Sequence, residues 1–402
     1  MLFSEMNLSD EVVRSVEHSG FTIPTEVQEK CIPAIMSGLD VVGRSKTGSG
    51  KTLAFGIPLI EHVNPELKAV QSLVICPTRE LAMQVAEEMR KATEFKEGCK
   101  MTAVFGGADM GKQIDALKRA KIVVATPGRL MDHIGRRTIK LDFVKTVVLD
   151  EADEMLNMGF REDIEKILRF IPRERQTVMF SATMPPAIRR LTEDYMVTPT
   201  FVEIGDLNTT IDTIEQSYLK VPKDAKKTTL VNLFKTCQPQ SAIVFCNTKR
   251  MADEIRRTLN NNGVGAEALH GDMPQSARRR VMDAMKAHKI NILVATDVAA
   301  RGIDIDDIDY VINYDLPNDV EYYIHRIGRT GRAGKAGKAV TFITDRRELA
   351  ILNIYKNNTH SDIAEHKLSE DSIDFAPPKP STYYKSMKRP GSLNPGGFRR
   401  RR

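Results

Sequence analysis

Apolar residues in this chain gather in short unbroken runs, each followed by a small cluster of glycine, polar or charged residues. Thr146–Val147–Val148–Leu149 shows the pattern plainly, and such a run predicts a strand buried on both faces of a parallel sheet. Asp150–Glu151–Ala152–Asp153 follows it directly, at the carboxyl end that faces the ligand crevice of an open α/β sheet. Asp40–Val41–Val42–Gly43 predicts a second strand. It runs into the loop Ser45–Lys46–Thr47–Gly48–Ser49–Gly50–Lys51–Thr52 and then an apolar helix, Leu53–Ile60. Thr177–Phe180 predicts a third strand, with Ser181–Ala182–Thr183 at its end.

The runs repeat. Ser72–Leu73–Val74–Ile75–Cys76–Pro77–Thr78–Arg79 resembles Ala242–Ile243–Val244–Phe245–Cys246–Asn247–Thr248–Lys249, and Ile122–Val123–Val124–Ala125–Thr126 resembles Ile292–Leu293–Val294–Ala295–Thr296. Both pairs are separated by the same 170 positions, which predicts two tandem copies of one α/β fold. The expected organisation is a first domain over 1–205, a linker over 206–213, a second domain over 214–368 and a tail over 369–402.

The phosphate chemistry sits in the first copy. Gly48 and Gly50 let backbone N–H groups approach phosphate oxygens, Lys51 neutralises their charge, and the Thr52 hydroxyl suits Mg²⁺. Asp150 can hold the same Mg²⁺, while Glu151 orients or deprotonates a water for attack on a γ-phosphate. The second copy carries Val221–Pro222–Lys223–Asp224 where the loop would fall, so one nucleotide site per chain is expected. It contributes instead His325–Arg326–Ile327–Gly328–Arg329–Thr330–Gly331–Arg332. Arg326 and Arg329, three apart on an expected helix, would share a face and reach one phosphate together.

Composition refines this picture. With 402 residues, 41% of them hydrophobic, the chain has enough material for two cores. It lacks both an apolar run of 18 residues and an N-terminal basic-then-apolar segment, so a cytoplasmic protein is expected. Cys31, Cys76, Cys99, Cys237 and Cys246 show no C-x-x-C spacing and are expected to be reduced core residues. The net charge is +6, but eight of the 59 basic residues lie between Lys379 and Arg402 with no acid among them. The 51 that remain face 53 acidic residues. Only the Pro/Gly/Arg-rich tail, expected to be disordered, therefore offers bulk attraction to a polyanion.

From Phe3 to about Phe342 the motifs resemble, in order, those of the DEAD-box RNA helicases, and the chain looks like a bacterial-type member. Gly20 to Gln28, Pro77–Thr78–Arg79–Glu80–Leu81, Gly106–Gly107, Thr126–Pro127–Gly128–Arg129–Leu130, Ser181–Ala182–Thr183, Gln275–Ser276–Ala277–Arg278, Ala295–Thr296–Asp297 and Arg301–Gly302–Ile303–Asp304 carry the likeness. It departs at Glu26, where the family has proline, and at Ser45–Lys46, where the family has alanine and glutamine. The resemblance implies two tandem RecA-like domains with parallel sheets, binding ATP and RNA across the cleft between them. It implies that Phe21, Thr25 and Gln28 recognise adenine, Phe21 by stacking and Gln28 through its amide. Thr47, Gly48, Ser49, Gly50, Lys51 and Thr52 would hold the phosphates, with Gly302, Asp304, Arg326 and Arg329 reaching the nucleotide from the second domain. Asp304 would contact the ribose or the water network, and Ser181 and Thr183 would couple hydrolysis to RNA.

Pro77, Thr78, Arg79, Gly107, Thr126, Gly128 and Arg129 would touch the RNA backbone from the first domain, and Thr248, Gly271 and Thr296 from the second. Thr78, Thr126, Thr248 and Thr296 each follow an apolar run, so their hydroxyls fall at one edge of each sheet, where sugar–phosphate contacts carry no base information. For a lone threonine, capping a helix is the more usual role; equivalent positions in both copies shift the balance towards the backbone contact. The implied activity is ATP-dependent RNA unwinding or RNA–protein remodelling. An ATP-controlled RNA clamp or assembly platform is the alternative, with protein partners in RNA processing, ribosome assembly or decay.

Overall fold

The computed structural model describes residues 2–44, 49–204, 214–300, 308–331, 336–359 and 361–366. Thr47, Gly48, Gly302, Asp304, the 206–213 linker and the 369–402 tail lie outside the described residues. The chain forms two compact units, each built on one seven-stranded sheet.

In the first unit the strands are β1 (Val41–Arg44), β2 (Ser72–Ile75), β3 (Met101–Val104), β4 (Ile122–Ala125), β5 (Thr146–Leu149), β6 (Gln176–Ser181) and β7 (Thr200–Glu203). They lie in the order β3-β4-β2-β5-β6-β1-β7, and every pairing is parallel. Among the described residues the helices α1 (Asp10–His18), α2 (Glu26–Met36), α3 (Lys51–Glu61), α4 (Arg79–Lys91), α5 (Met110–Leu117), α6 (Pro127–Gly135), α7 (Ala152–Asn157), α8 (Arg161–Phe170) and α9 (Pro186–Tyr195) alternate with them.

Alternate strand residues feed two apolar layers. Val41, Val74, Val124, Val148 and Val178 join side chains of α1 to α4, whereas Val42, Leu73, Val123, Val147 and Met179 join those of α6, α8 and α9. Both faces are therefore covered, which explains why the runs carry no polar alternation. Phe3, where the resemblance begins, is 1% exposed and belongs to the first of these layers.

Register places the chemistry. Leu149 pairs with Ile75 and with Met179, and Arg44 pairs with Ser181. Asp150, Cys76 and Ser181 consequently emerge near one another at the carboxyl edge.

The second unit repeats the plan with β8 (Ile214–Lys220), β9 (Ala242–Phe245), β10 (Ala266–Leu269), β11 (Ile292–Ala295), β12 (Tyr310–Asn313), β13 (Gly337–Ile343) and β14 (Ile363–His366). Its order, β10-β11-β9-β12-β13-β8-β14, is the first order shifted by seven strands. The two repeats 170 positions apart are β2 with β9 and β4 with β11, so equal sequence offset means equal place in the sheet. The helices that alternate with these strands in sequence are α10 (Lys226–Cys237), α11 (Lys249–Asn261), α12 (Gln275–Lys286), α13 (Asp297–Ala300), α14 (Val320–Ile327) and α15 (Arg346–Thr359).

One expectation is corrected here. Arg326 and Arg329 do not share a helical face, because α14 ends at Ile327 with Gly328 as its C-cap and Arg329 lies beyond it. All five cysteines are free, and burial pushes the Cys31 thiol up to about 12 and the Cys99 thiol up to about 11. No helix among the described residues is long and apolar enough to cross a membrane.

Candidate functional site

Lys51 is the first residue of α3, held there by Gly50, whose φ of +93° places it in the left-handed region. A side chain at position 50 would meet Gln28 Nε2 at 2.7 Å and Thr25 Oγ1 at 2.9 Å, so glycine is required both by conformation and by space. Lys51 is 8% exposed. An ammonium buried at a helix N-terminus gains nothing from the helix dipole, which favours anions there. Its position makes sense with anionic phosphate as the partner.

Asp150 stands one residue past β5 and is buried. Burial pushes its carboxyl up to about 7, with Lys51 opposing the shift and Glu151 adding to it. Oδ1 is buried and finds no hydrogen-bond partner among the described residues. A buried orphan carboxylate oxygen is costly unless a ligand completes it. Hard oxygen donors suit Mg²⁺, and few protein ligands suffice where phosphates and waters supply the rest. The donor set of Asp150 and Thr52 fits that ion. Glu151, half-buried, caps α7 at φ +52°, a strained conformation for a non-glycine residue of the kind that gathers at functional sites.

Asp153 gathers the end of β6. Its Oδ2 accepts from Ala182 N at 3.1 Å, Thr183 N at 2.8 Å and Thr183 Oγ1 at 2.8 Å. Ser181 Oγ donates to Thr183 O at 2.6 Å, which tightens the same turn. The role of Asp153 was missed in the sequence, although its place in the acidic string was the available signal. Any shift of α7 must therefore move Ser181–Thr183.

The adenine group is arranged in an unexpected way. Gln28 is 3% exposed, and both ends of its amide are used: Oε1 accepts from Thr25 N at 2.9 Å, and Nε2 donates to Gly50 O at 3.0 Å. It ties the start of α2 to the phosphate loop while keeping one lone pair and one N–H for a base edge. Phe21 and Ile23 are exposed by 42% and 69%, so Phe21 is not a core residue and its ring face is available for stacking.

The backbone-binding candidates follow strands at the carboxyl edge of each sheet, taken separately. Thr78 Oγ1 accepts from Leu81 N at 3.2 Å and caps α4; Thr248 Oγ1 accepts from Met251 N at 3.2 Å and caps α11. Each hydroxyl still has its own proton to donate to a phosphate oxygen. Thr126, N-cap of α6, makes no side-chain cap, and Thr296 precedes α13. Pro77 is buried beside Thr78, whereas Gly128 and Gly271 are exposed. Gly107, at φ +83°, makes room for Arg79: a Cβ there would lie 2.3 Å from Arg79 Nη1. Arg129 Nη1 donates to Ala108 O at 3.1 Å and Gln113 Oε1 at 3.3 Å, while its buried Nε lies 3.7 Å from Asp132 Oδ2.

In the second unit Arg326 is 2% exposed and donates to Asp315 O at 2.7 Å and Asn247 Oδ1 at 3.0 Å, with its guanidinium carbon 5.2 Å from the Phe245 ring centre. It is built into its own unit. Arg329 is 8% exposed.

Comparison with known proteins agrees with this geometry. The DEAD/DEAH box helicase model matches residues 25–191, and the helicase conserved C-terminal domain model matches 225–334. The chain is 50% identical over 358 residues to the ATP-dependent RNA helicase CshA of Listeria monocytogenes, covering 89% of this chain and 68% of the relative. It is 48% identical over 375 residues to the DEAD-box ATP-dependent RNA helicase CshA of Bacillus subtilis, covering 93% and 75%. Among solved structures, S. cerevisiae Dbp5 bound to RNA and ADP BeF3 superposes with a TM-score of 0.83 at 32% identity, covering 90% of this chain and 95% of that one. Mss116p bound to ssRNA and AMP-PNP gives a TM-score of 0.81 at 30% identity, covering 92% and 79%. With its motifs, its paired sheets and these relatives in agreement, the chain belongs to the DEAD-box family of ATP-dependent RNA helicases.

Proposed function

We propose that this protein hydrolyses ATP to ADP and phosphate in response to RNA, and uses the cycle to open short RNA duplexes or remodel RNA–protein complexes. The observation that carries the reading is the buried pair of Asp150, with its orphan oxygen, and Lys51, at the mouth of a phosphate loop. Lys51 binds the β- and γ-phosphates and Gln28 reads the adenine edge beneath a stacked Phe21. Thr52 and Asp150 would hold Mg²⁺, which when bound supplies charge neutralisation on the phosphate oxygens. Glu151 takes the proton of a water that attacks the γ-phosphorus, and the bond from that phosphorus to the bridging oxygen of ADP breaks.

Arg329, just past α14 in the second domain, adds positive charge at the γ-phosphate, while Arg326 ties the end of α14 to the residues after β9 and β12. Gly302 and Asp304 complete the nucleotide contacts. Pro77, Thr78, Arg79, Gly107, Thr126, Gly128, Arg129, Thr248, Gly271 and Thr296 grip the RNA backbone, so little base preference is expected. Domain limits at 205 and 214, and a cytoplasmic location, belong to the same reading.

Strand displacement on a short RNA duplex, with the purified chain alone, tests it. Displacement that needs hydrolysable ATP, together with ATP hydrolysis stimulated by RNA and not by DNA, is the expected result. Stable ATP-dependent RNA binding without displacement would favour the clamp.

A further inference from the structure

Arg129 is held by a small buried polar network whose other members have no part in the function described above. Gln113, on α5, is 6% exposed, and its Nε2 donates to Phe105 O at 3.0 Å. That donation turns Oε1 towards α6, where it accepts from Arg129 Nη1 at 3.3 Å and from His133 Nε2 at 3.0 Å. His133 is fully buried, and its Nδ1 faces Thr138 Oγ1 at 2.8 Å. With Gln113 Oε1 as acceptor, His133 carries a proton on Nε2, and the Thr138 hydroxyl, beside Nδ1, donates to His133 O at 3.2 Å. Burial above all, with Arg129 as the next cause, holds the imidazole below its ordinary range, consistent with a neutral ring.

Three elements thus meet at one amide. Gln113 fixes Phe105, directly before Gly106–Gly107, and Arg129 fixes Ala108, directly after them. The Gly106–Gly107 turn is in turn packed against the Arg79 guanidinium. A flexible arginine loses side-chain entropy when it binds phosphate, and a partner that orders it beforehand reduces that cost. Arg129 uses Nη1 on Ala108 and Gln113, and its Nε lies 3.7 Å from Asp132 Oδ2, so the guanidinium is held in one orientation by groups on the protein.

We propose that Gln113, backed by His133, is a positioning residue that pre-orders Arg129 and the Gly106–Gly107 turn for the RNA backbone. This rests on the assignment of Arg129 to RNA made above.

The test measures the RNA concentration that half-saturates ATP hydrolysis, and its salt dependence, in the full chain. Gln113→Met keeps the volume and removes the amide. It is expected to raise half-saturating RNA by about 5- to 20-fold, while kcat at saturating RNA and the KM for ATP stay within about twofold. The slope of log affinity against log salt should fall by about 0.7, one phosphate contact on a single strand. Arg129→Gln should show the same losses, and the double variant no more than Arg129→Gln alone, because Gln113 acts through Arg129. His133→Asn, approaching from the other side of Gln113, should give a rise of about 2- to 5-fold and serves as the second probe should Gln113→Met fail to fold.

Additive effects in the double variant, or unchanged half-saturation in folded Gln113→Met, would overturn the positioning role while leaving Arg129 on RNA. Unchanged half-saturation in Arg129→Gln would instead remove Arg129 from the RNA site, and the inference with it.

Discussion

The two sheets share a strand order, yet they treat the same pair of charges in opposite ways. In the first, Lys51 opens α3 and Asp150 follows β5; the carboxylate keeps an oxygen without a hydrogen bond. In the second, Lys226 opens α10 and Asp315 follows β12, the strand in the place of β5; here Lys226 Nζ and Asp315 Oδ1 close on each other at 2.8 Å. The Tyr314 ring centre, 4.2 Å from Lys226 Nζ, seals that lysine further. A buried charge needs a partner. The second unit closes the pair with a direct ion pair, whereas in the first Asp150 keeps one buried oxygen without a hydrogen bond among the described residues. The local cause is the preceding loop: Gly48–Ser49–Gly50 leads into Lys51, whereas Pro222–Lys223–Asp224–Ala225 leads into Lys226. One fold thus serves twice, once as a nucleotide site and once as a closed scaffold for arginine and threonine.

The contrast can be broken most severely at Glu151. On the proposed mechanism Glu151→Gln removes the general base but no phosphate ligand, so hydrolysis should fall by about 10²- to 10⁴-fold with nucleotide affinity retained. Single-turnover hydrolysis beside equilibrium binding separates the two, and equal loss of both would place Glu151 among the binding groups. Gln28→Ala should cost about 10- to 100-fold in ATP over GTP selectivity, since it removes an amide that reads the base. Because Gln28 also anchors Gly50, affinity for both nucleotides should fall; competition titrations with the two measure each part.

On the second sheet the expected loss is of stability alone. Lys226→Ala strands Asp315, and as that carboxylate retains some exposure the cost should be about 2 to 3 kcal/mol in denaturant unfolding. The KM for ATP should be unchanged. Smaller still is the pH effect of His133, whose imidazole is held below its ordinary range by burial and then by Arg129, with Asp132 opposing. Its folded value lies below 6.5, so the unfolded chain binds the extra proton, and stability is intact above pH 6.5 and declines below it. Urea midpoints between about pH 7.5 and 5 should fall less steeply in His133→Asn than in the parent chain.

Much of this was legible because burial on both faces leaves an unambiguous apolar run. The strands at Thr146–Leu149, Val41–Arg44 and Gln176–Ser181, and the doubled topology announced by a repeated offset of 170, were all accessible to pattern reading. Less visible were features that depend on distant partners. The burial of Arg326 depends on Asn247 and Asp315, which other strands deliver, and the end of α14 at Gly328 separated two arginines that spacing alone put on one face. The left-handed conformation of Glu151 and the grip of Asp153 on Ala182 and Thr183 are consequences of tertiary closure, which no local pattern encodes.

Calorimetric titration of a non-hydrolysable ATP analogue with Mg²⁺ bears most directly on the division between the units. The parent chain should bind one nucleotide, Lys51→Ala should weaken that binding by about 100-fold or more, and folded Lys226→Ala should bind as the parent does. Binding that survives in Lys51→Ala, or that is lost in folded Lys226→Ala, would contradict the assignment of the nucleotide to the first sheet.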